Sequence, residues 1–99
     1  MTLESVPDEL LAARDNIDEI DAALVDLLAT RFKLTHQVGL LKASNKLDAI
    51  DANREAQKLE KLRSLCKETN VNPDLVTELF IKIMEEVVRN HRQIRANRN

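Results

Sequence analysis

Polar side chains stand where the sequence otherwise repeats apolar residues, and a buried charge needs a partner of opposite sign. Arg31 interrupts an apolar repeat, and Lys42 lies eleven residues later on nearly the same helical face. His91 continues an apolar stripe near the other end of the chain. The middle segment adds one more cation and two acids: Arg54, Asp51 and Glu55. Side chains on facing helices can enclose such a group, so the set predicts a cationic pocket for a small dianion that carries hydroxyl groups.

Each of these residues alone also has a simpler structural interpretation. Arg31 could form an internal salt bridge or fix the register of a coiled coil. Lys42 could be a surface lysine whose aliphatic stem covers apolar residues. His91 could be a hydrogen-bonded core histidine. The combination of residues from three predicted helices favours the anion pocket.

Arg14 adds a geometric constraint to the predicted pocket. It precedes Arg31 by 17 residues, so their Cα atoms on one helix would be ~25 Å apart. Two side chains cannot bridge that distance around one small ligand. If Arg14 belongs to the pocket, it must come from a second subunit.

The motifs of several other kinds of site are missing. The chain has no readable Ser/His/Asp or Cys/His triad, and its His, Cys and acidic residues have no metal-ligand spacing. We therefore expect a reaction that needs no nucleophile, metal or cofactor and that depends on electrostatic preorganisation. The single cysteine, Cys66, lies on a helical stripe and reads as inert core; its isolation favours a reducing, cytoplasmic setting.

The composition predicts that helices position these groups. With 99 residues, 43% hydrophobic, one Gly, two Pro and no Trp or Tyr, the chain favours a single all-α domain over residues 1–99. We predict helices at about 7–43, 48–67 and 73–95, the first begun by Ser5 and Pro7 and the last by the Asn72-Pro73 pair.

The apolar seam of the first helix is longer than one chain can cover. Its spacing alternates between three and four residues without a slip, as in a coiled coil. The seam consists of Leu10, Ala13, Ile17, Ile20, Leu24, Leu27, Arg31, Leu34, Val38 and Leu41. A helix ~50 Å long with such a stripe predicts an intertwined homodimer.

Charge and hydropathy narrow the range of partners. The net charge is −2, the start of the chain has no signal-peptide pattern, and no apolar run is long enough for a membrane span. Basic residues gather near the end, at Arg89, Arg92, Arg95 and Arg98. Their spacing is typical of a solvated helix face, although an acidic partner could also dock there. We expect neither nucleic-acid nor membrane binding.

Four segments, residues 11–21, 27–31, 38–42 and 51–55, closely resemble the all-helical AroQ-type chorismate mutases. The combination Arg…Arg…Gly-x-x-Lys…Asp-x-x-Arg-Glu is specific, and the resemblance covers residues 8–95. It implies an interlocked three-helix homodimer that rearranges chorismate to prephenate in phenylalanine and tyrosine biosynthesis. An activating partner enzyme is a further expectation, because some free-standing members are weak alone.

The resemblance also implies a role for each site residue. Arg31 and Arg14 of the second subunit would bind the two substrate carboxylates, and Arg54 would support them. Lys42 would donate to the ether oxygen, where charge grows in the transition state. Two acids would hold the ring hydroxyl: Asp51 and Glu55.

The chain departs from the best-studied branch of that family at two positions. His91 stands in place of a glutamine that donates to the ether oxygen, and we expect the imidazole to do the same work, as a neutral tautomer or as imidazolium. Val87 stands in place of a serine near a carboxylate and offers no side-chain donor.

Three alternative functions are compatible with the same sequence. An isochorismate pyruvate lyase or a 4-amino-4-deoxychorismate mutase would share the cationic clamp. Asp51 and Glu55 suit a 4-hydroxyl group and favour chorismate itself. A non-catalytic helical dimerisation or regulatory module is the third alternative.

Overall fold

A computed structural model describes residues 6–97 and contains three helices. These are α1 (Asp8–Ser44), α2 (Ala52–Thr69) and α3 (Pro73–Asn97), with no strand in the described range. The all-α expectation is therefore confirmed. The contacts divide the chain into two compact units, one ending at Lys33 and the other beginning at Leu34, so the boundary falls within α1.

Short polar signals set the helix ends. The Pro7 carbonyl accepts hydrogen bonds from the amides of Leu10 and Leu11 at the start of α1; Ser5, the expected cap, lies outside the described residues. Asn72 caps α3, as its spacing predicted: its side-chain oxygen accepts from the amide of Asp74 at 2.9 Å. Asn70 ends α2 in the left-handed conformation, at φ 57°.

Helix α2 begins four residues later than the sequence indicated. Asp48 and Asp51 are both acids that can cap a helix. Asp51 is the cap that forms, because its Oδ1 accepts the backbone N–H of Arg54 at 3.1 Å. Asp48 instead lies in an irregular loop. The backbone amide of Leu47, the residue before it, donates to the Lys42 carbonyl at 2.8 Å.

In the unit that begins at Leu34, the core is small. Cys66, His91 and Ile94 are buried there, and burial of Cys66 agrees with its assignment to the core. Gly39 is buried as well. The close packing at this glycine joins α1 to α3, because a Cβ there would meet the side chains of His91 and Ile94.

Most of the predicted seam of α1 is exposed to solvent in the single chain. Ile20 is 60% exposed and Leu27 66% exposed, and six further seam residues are exposed large hydrophobics: Leu10, Ile17, Leu24, Leu34, Val38 and Leu41. Such a row of apolar side chains is unusual on a surface in contact with water. Within residues 6–97 no helix is long and apolar enough to cross a bilayer.

Candidate active site

Lys42 and Asp51 line one cavity of about 350 Å³ at the junction of α1 and α2. Lys42 comes from the last turn of α1 and Asp51 from the cap of α2. The rest of the wall is formed by the connecting loop and the first turn of α2: Leu47, Asp48, Ile50, Ala52 and Asn53. The volume falls within the range of small-molecule sites. The structure therefore joins the predicted ammonium donor to one of the two predicted acids.

The ammonium group of Lys42 is directed to the loop. Lys42 is half-buried, and its Nζ donates to the carbonyl of Ala49 at 3.3 Å. An ammonium has three donors, so this bond leaves donors available for a ligand in the cavity. Lys42 is thus positioned by α1 and the loop, which differs from a lysine that only covers an apolar surface.

Asp51 has a structural task in addition to any ligand contact. Its Oδ1 caps α2 through the amide of Arg54, which fixes the carboxylate at the cavity wall. A carboxylate has further acceptor sites, so the cap does not prevent Asp51 from accepting a ligand hydroxyl. The Arg54 side chain is exposed, and Arg54 is not among the residues that line this cavity.

Glu55 lies in an adjoining groove between α2 and α3. The groove encloses about 380 Å³ and shares Ile50 with the cavity of Lys42 and Asp51. Apolar side chains, including Met84 and Val88, form much of the wall of this groove. Arg92 and Glu55 are charged residues that line the same groove. The spacing of Arg92 from its neighbouring arginines predicted a solvated basic face. Its spacing of four residues from Val88 was the signal that could have placed it here.

His91 has the geometry of a buried helix-packing residue. It is 4% exposed, and its Nε2 lies 2.8 Å from the carbonyl oxygen of Thr35 on α1. A carbonyl only accepts, so Nε2 carries the proton and Nδ1 is the remaining ring nitrogen. Nδ1 is buried without a hydrogen-bond partner in the structure. Gly39, which the ring touches, lies three residues before Lys42 on the same face of α1.

The other predicted site residues lie on α1 and α3. Val87 is half-buried on α3. In the unit that ends at Lys33, Arg14 is exposed and Arg31 is half-buried, both on α1. Among residues 6–97 no cluster of three or more His, Cys, Asp or Glu side chains has the arrangement of a metal site.

Comparison with known proteins identifies the family. The family model described as "Chorismate mutase type II" matches residues 13–92, which is most of the chain. The chain belongs to this family. A chorismate mutase of Methanocaldococcus jannaschii is 32% identical to it over 78 residues, which make up 79% of each chain.

Other relatives of this chorismate mutase type II chain are much longer proteins. The T-protein of Enterobacter agglomerans is 40% identical over 78 residues, which cover 79% of this chain and 21% of the T-protein. A bifunctional chorismate mutase/prephenate dehydratase of Buchnera aphidicola is 38% identical over 86 residues, which cover 87% of this chain and 22% of that enzyme. The chain thus spans about a fifth of the length of these two relatives.

Proposed function

We propose that the chain is a chorismate mutase, which converts chorismate to prephenate. The observation that carries the proposal is the shared cavity of Lys42 and Asp51, in a chain of the chorismate mutase type II family. The reaction is a unimolecular rearrangement in which the ether C–O bond of the enolpyruvyl group breaks while a new C–C bond forms. It needs no proton, electron or co-reactant to balance.

Lys42 supplies the differential stabilisation in this proposal. Negative charge grows on the ether oxygen as the C–O bond lengthens, so a hydrogen bond from the ammonium group strengthens toward the transition state. The Ala49 carbonyl restrains the ammonium beforehand, which reduces the reorganisation that the reaction requires. A donor of this kind contributes ~10²-fold to 10³-fold in rate.

The other residues hold the reactive conformation. Asp51 and Glu55 accept the ring hydroxyl, and Arg31 and Arg54 serve the carboxylate side. Such ionic clamps hold the enolpyruvyl arm over the ring, so that the bound substrate is already close to the conformation that reacts. We propose His91 as a second donor to the ether oxygen and Val87 as an apolar wall.

The proposed active form is a homodimer in which Arg14 of the second subunit completes the site. Support comes from the exposed apolar residues of α1, such as Ile20 and Leu27, which a second copy would cover. The separation of Arg14 from Arg31 by 17 residues of continuous helix supports the same arrangement.

A prephenate-consuming enzyme is the partner we propose for the product. The relatives named bifunctional chorismate mutase/prephenate dehydratase combine two activities in one chain. A separate enzyme that acts on prephenate would carry out the second reaction after this chain has carried out the first. No cofactor is part of the proposal.

Product analysis tests the proposed function. Purified protein is incubated with chorismate and, separately, with isochorismate, and the products are resolved by HPLC. Lys82→Ala is the matched control for Lys42→Ala, because Lys82 is an exposed lysine of α3 that pairs with Glu85. We expect prephenate from chorismate with wild type and Lys82→Ala, and almost none with Lys42→Ala.

The other outcomes contradict the proposal in different ways. Salicylate and pyruvate from isochorismate, without prephenate from chorismate, would assign the chain to lyase chemistry. Turnover of neither substrate would favour a binding or regulatory module, and a pull-down for partner proteins would follow.

A further inference from the structure

The loop of residues 45–51 determines the geometry of the Lys42 cavity. Its residues form most of the wall opposite Lys42, and it ends at Asp51. Its Ala49 carbonyl is the acceptor of the Lys42 ammonium. A displacement of this loop would therefore release the ammonium of Lys42, the proposed donor to the ether oxygen, and would move Asp51, a proposed acceptor of the ring hydroxyl.

The loop has little internal support. Leu47 and Ile50 are 55% and 47% exposed, so few apolar contacts hold the segment. Lys46 adopts a left-handed backbone conformation at φ 57°, which is unfavourable for a residue with a Cβ. Segments with exposed residues and few apolar contacts open at low cost in free energy. The loop needs an external contact to keep a fixed position.

Arg95, near the end of α3, supplies such a contact. Its Nη1 donates to the Leu47 carbonyl at 3.1 Å and lies 3.6 Å from Oδ1 of Asp48. Both contacts are long-range, because Arg95 follows Leu47 by 48 positions and Asp48 by 47 positions in the sequence. Arg89 on the same helix pairs with Glu86, one turn away on α3, and so makes a local ion pair. Nη1 carries two N–H groups, so this one nitrogen contacts the loop backbone and the loop carboxylate together.

We propose that Arg95 is a positioning residue for the reaction: it holds the 45–51 loop against α3 and thereby fixes Lys42 and Asp51. This inference rests on the proposed function. Arg95 does not line the cavity, so its effect on the reaction passes through Leu47, Asp48 and the loop backbone. The sequence pattern alone predicted a solvated basic face for Arg95.

The expected kinetic effect of Arg95→Ala is moderate. The Arg95 side chain is 50% exposed and that of Asp48 90% exposed, so the ion pair alone contributes little. A hydrogen bond from a charged donor to a carbonyl contributes more. We expect kcat to fall about tenfold, below the ~10²-fold that a 1 Å misplacement can cost, with KM within about twofold of wild type.

The experiment combines steady-state kinetics on chorismate with amide hydrogen exchange on the full chain. Arg95→Lys retains one charged donor and is expected to recover most of kcat, whereas Lys82→Ala is expected to match wild type. In Arg95→Ala the amides of Lys46 and Leu47, which are bonded to the end of α1, should exchange faster. The Val71 amide, bonded to Cys66 in the other turn, should keep its wild-type rate. A change of global stability would alter both turns.

Failure of this inference is distinguishable from failure of the proposed function. If Arg95→Ala shows wild-type kcat and wild-type exchange at Lys46 and Leu47, Arg95 does not position the loop, and the mutase assignment is unaffected. If wild type itself has no mutase turnover, the proposed function fails, and with it the catalytic role of Arg95. Faster exchange in the loop with unchanged kcat would also overturn the positioning role.

Discussion

Gly39→Ala tests the packing that holds α1 against α3 beside the proposed site. A Cβ at this position would lie 2.6 Å from Cδ2 of His91 and 2.8 Å from Cδ1 of Ile94. Carbon atoms in contact prefer ~3.5–4.0 Å, so the imidazole would have to move by about 1 Å. The terminal methyl of Ile94 can rotate away. The ring cannot move as easily, because its Nε2 is bonded to the Thr35 carbonyl at 2.8 Å.

The expected change in the free energy of unfolding is the sum of two costs and one gain. Overpacking of this kind costs ~1–3 kcal/mol, and loss of the hydrogen bond to Thr35 would add ~1 kcal/mol. Alanine regains up to ~1 kcal/mol over glycine in a helix. We therefore expect Gly39→Ala to lower the free energy of unfolding by about 2 kcal/mol, or Tm by ~10 °C in a chain of this size.

The assay is urea and thermal unfolding, with all variants at one protein concentration because an oligomer's Tm depends on it. A double-mutant cycle with His91→Ala isolates the clash. Without the imidazole, Gly39→Ala should cost less than about 0.5 kcal/mol, since of the three atoms nearest the new Cβ only the terminal methyl carbon of Ile94, which can rotate away, would remain. A Gly39→Ala chain as stable as wild type, or an equal cost in the His91→Ala background, would show that the new Cβ does not clash with the imidazole.

Three further predictions address the dimer, the histidine and a helix end. Mixing and reassociating Arg14→Ala with Lys42→Ala chains should restore about a quarter of wild-type turnover, because half of the dimers are mixed and each has one intact site; no recovery despite verified subunit exchange would contradict Arg14 acting in trans. Because the proposed role of His91 is to donate to the ether oxygen, His91→Ala should lower kcat/KM for chorismate by ~10²-fold, whereas His91→Gln, which keeps a side-chain N–H donor, should retain most of it; a wild-type kcat/KM in His91→Ala would exclude the role. Asn70 has φ 57°, so in urea unfolding Asn70→Gly should be at least as stable as wild type and Asn70→Ala about 1 kcal/mol less stable; equal unfolding midpoints for the two variants would be inconsistent with a left-handed cap.

The helical architecture was predictable because its signals are local. Asn72 and Pro73 mark the start of α3 in adjacent positions, and the structure shows the side-chain cap that they predict. Lys42 and Asp51 were also predictable as neighbours, because one ends a helix and the other begins the next. The predicted start of α2, at about residue 48, was four residues too early, because Asp48 and Asp51 have the same capping chemistry and only the loop geometry separates them.

The environment of His91 and the role of Arg95 were beyond sequence reasoning for a common reason. Each side chain bonds to a backbone carbonyl, of Thr35 and of Leu47 respectively. Every residue has such a carbonyl, so the acceptor leaves no signature in the sequence. The spacing of His91 showed that it faces the core, and the spacing of Arg95 showed a helix face, but neither could name the partner. The relation of Arg14 to the site stays a prediction.

We propose the Lys42 cavity as the site of chorismate rearrangement. The most direct test is the ratio of kcat/KM for chorismate between wild type and Lys42→Ala, with Lys82→Ala measured in parallel and the fold of each variant checked by circular dichroism. We expect a loss of ~10²-fold to 10³-fold in Lys42→Ala and a wild-type value for Lys82→Ala. A folded Lys42→Ala chain with a kcat/KM near that of wild type would contradict this proposal.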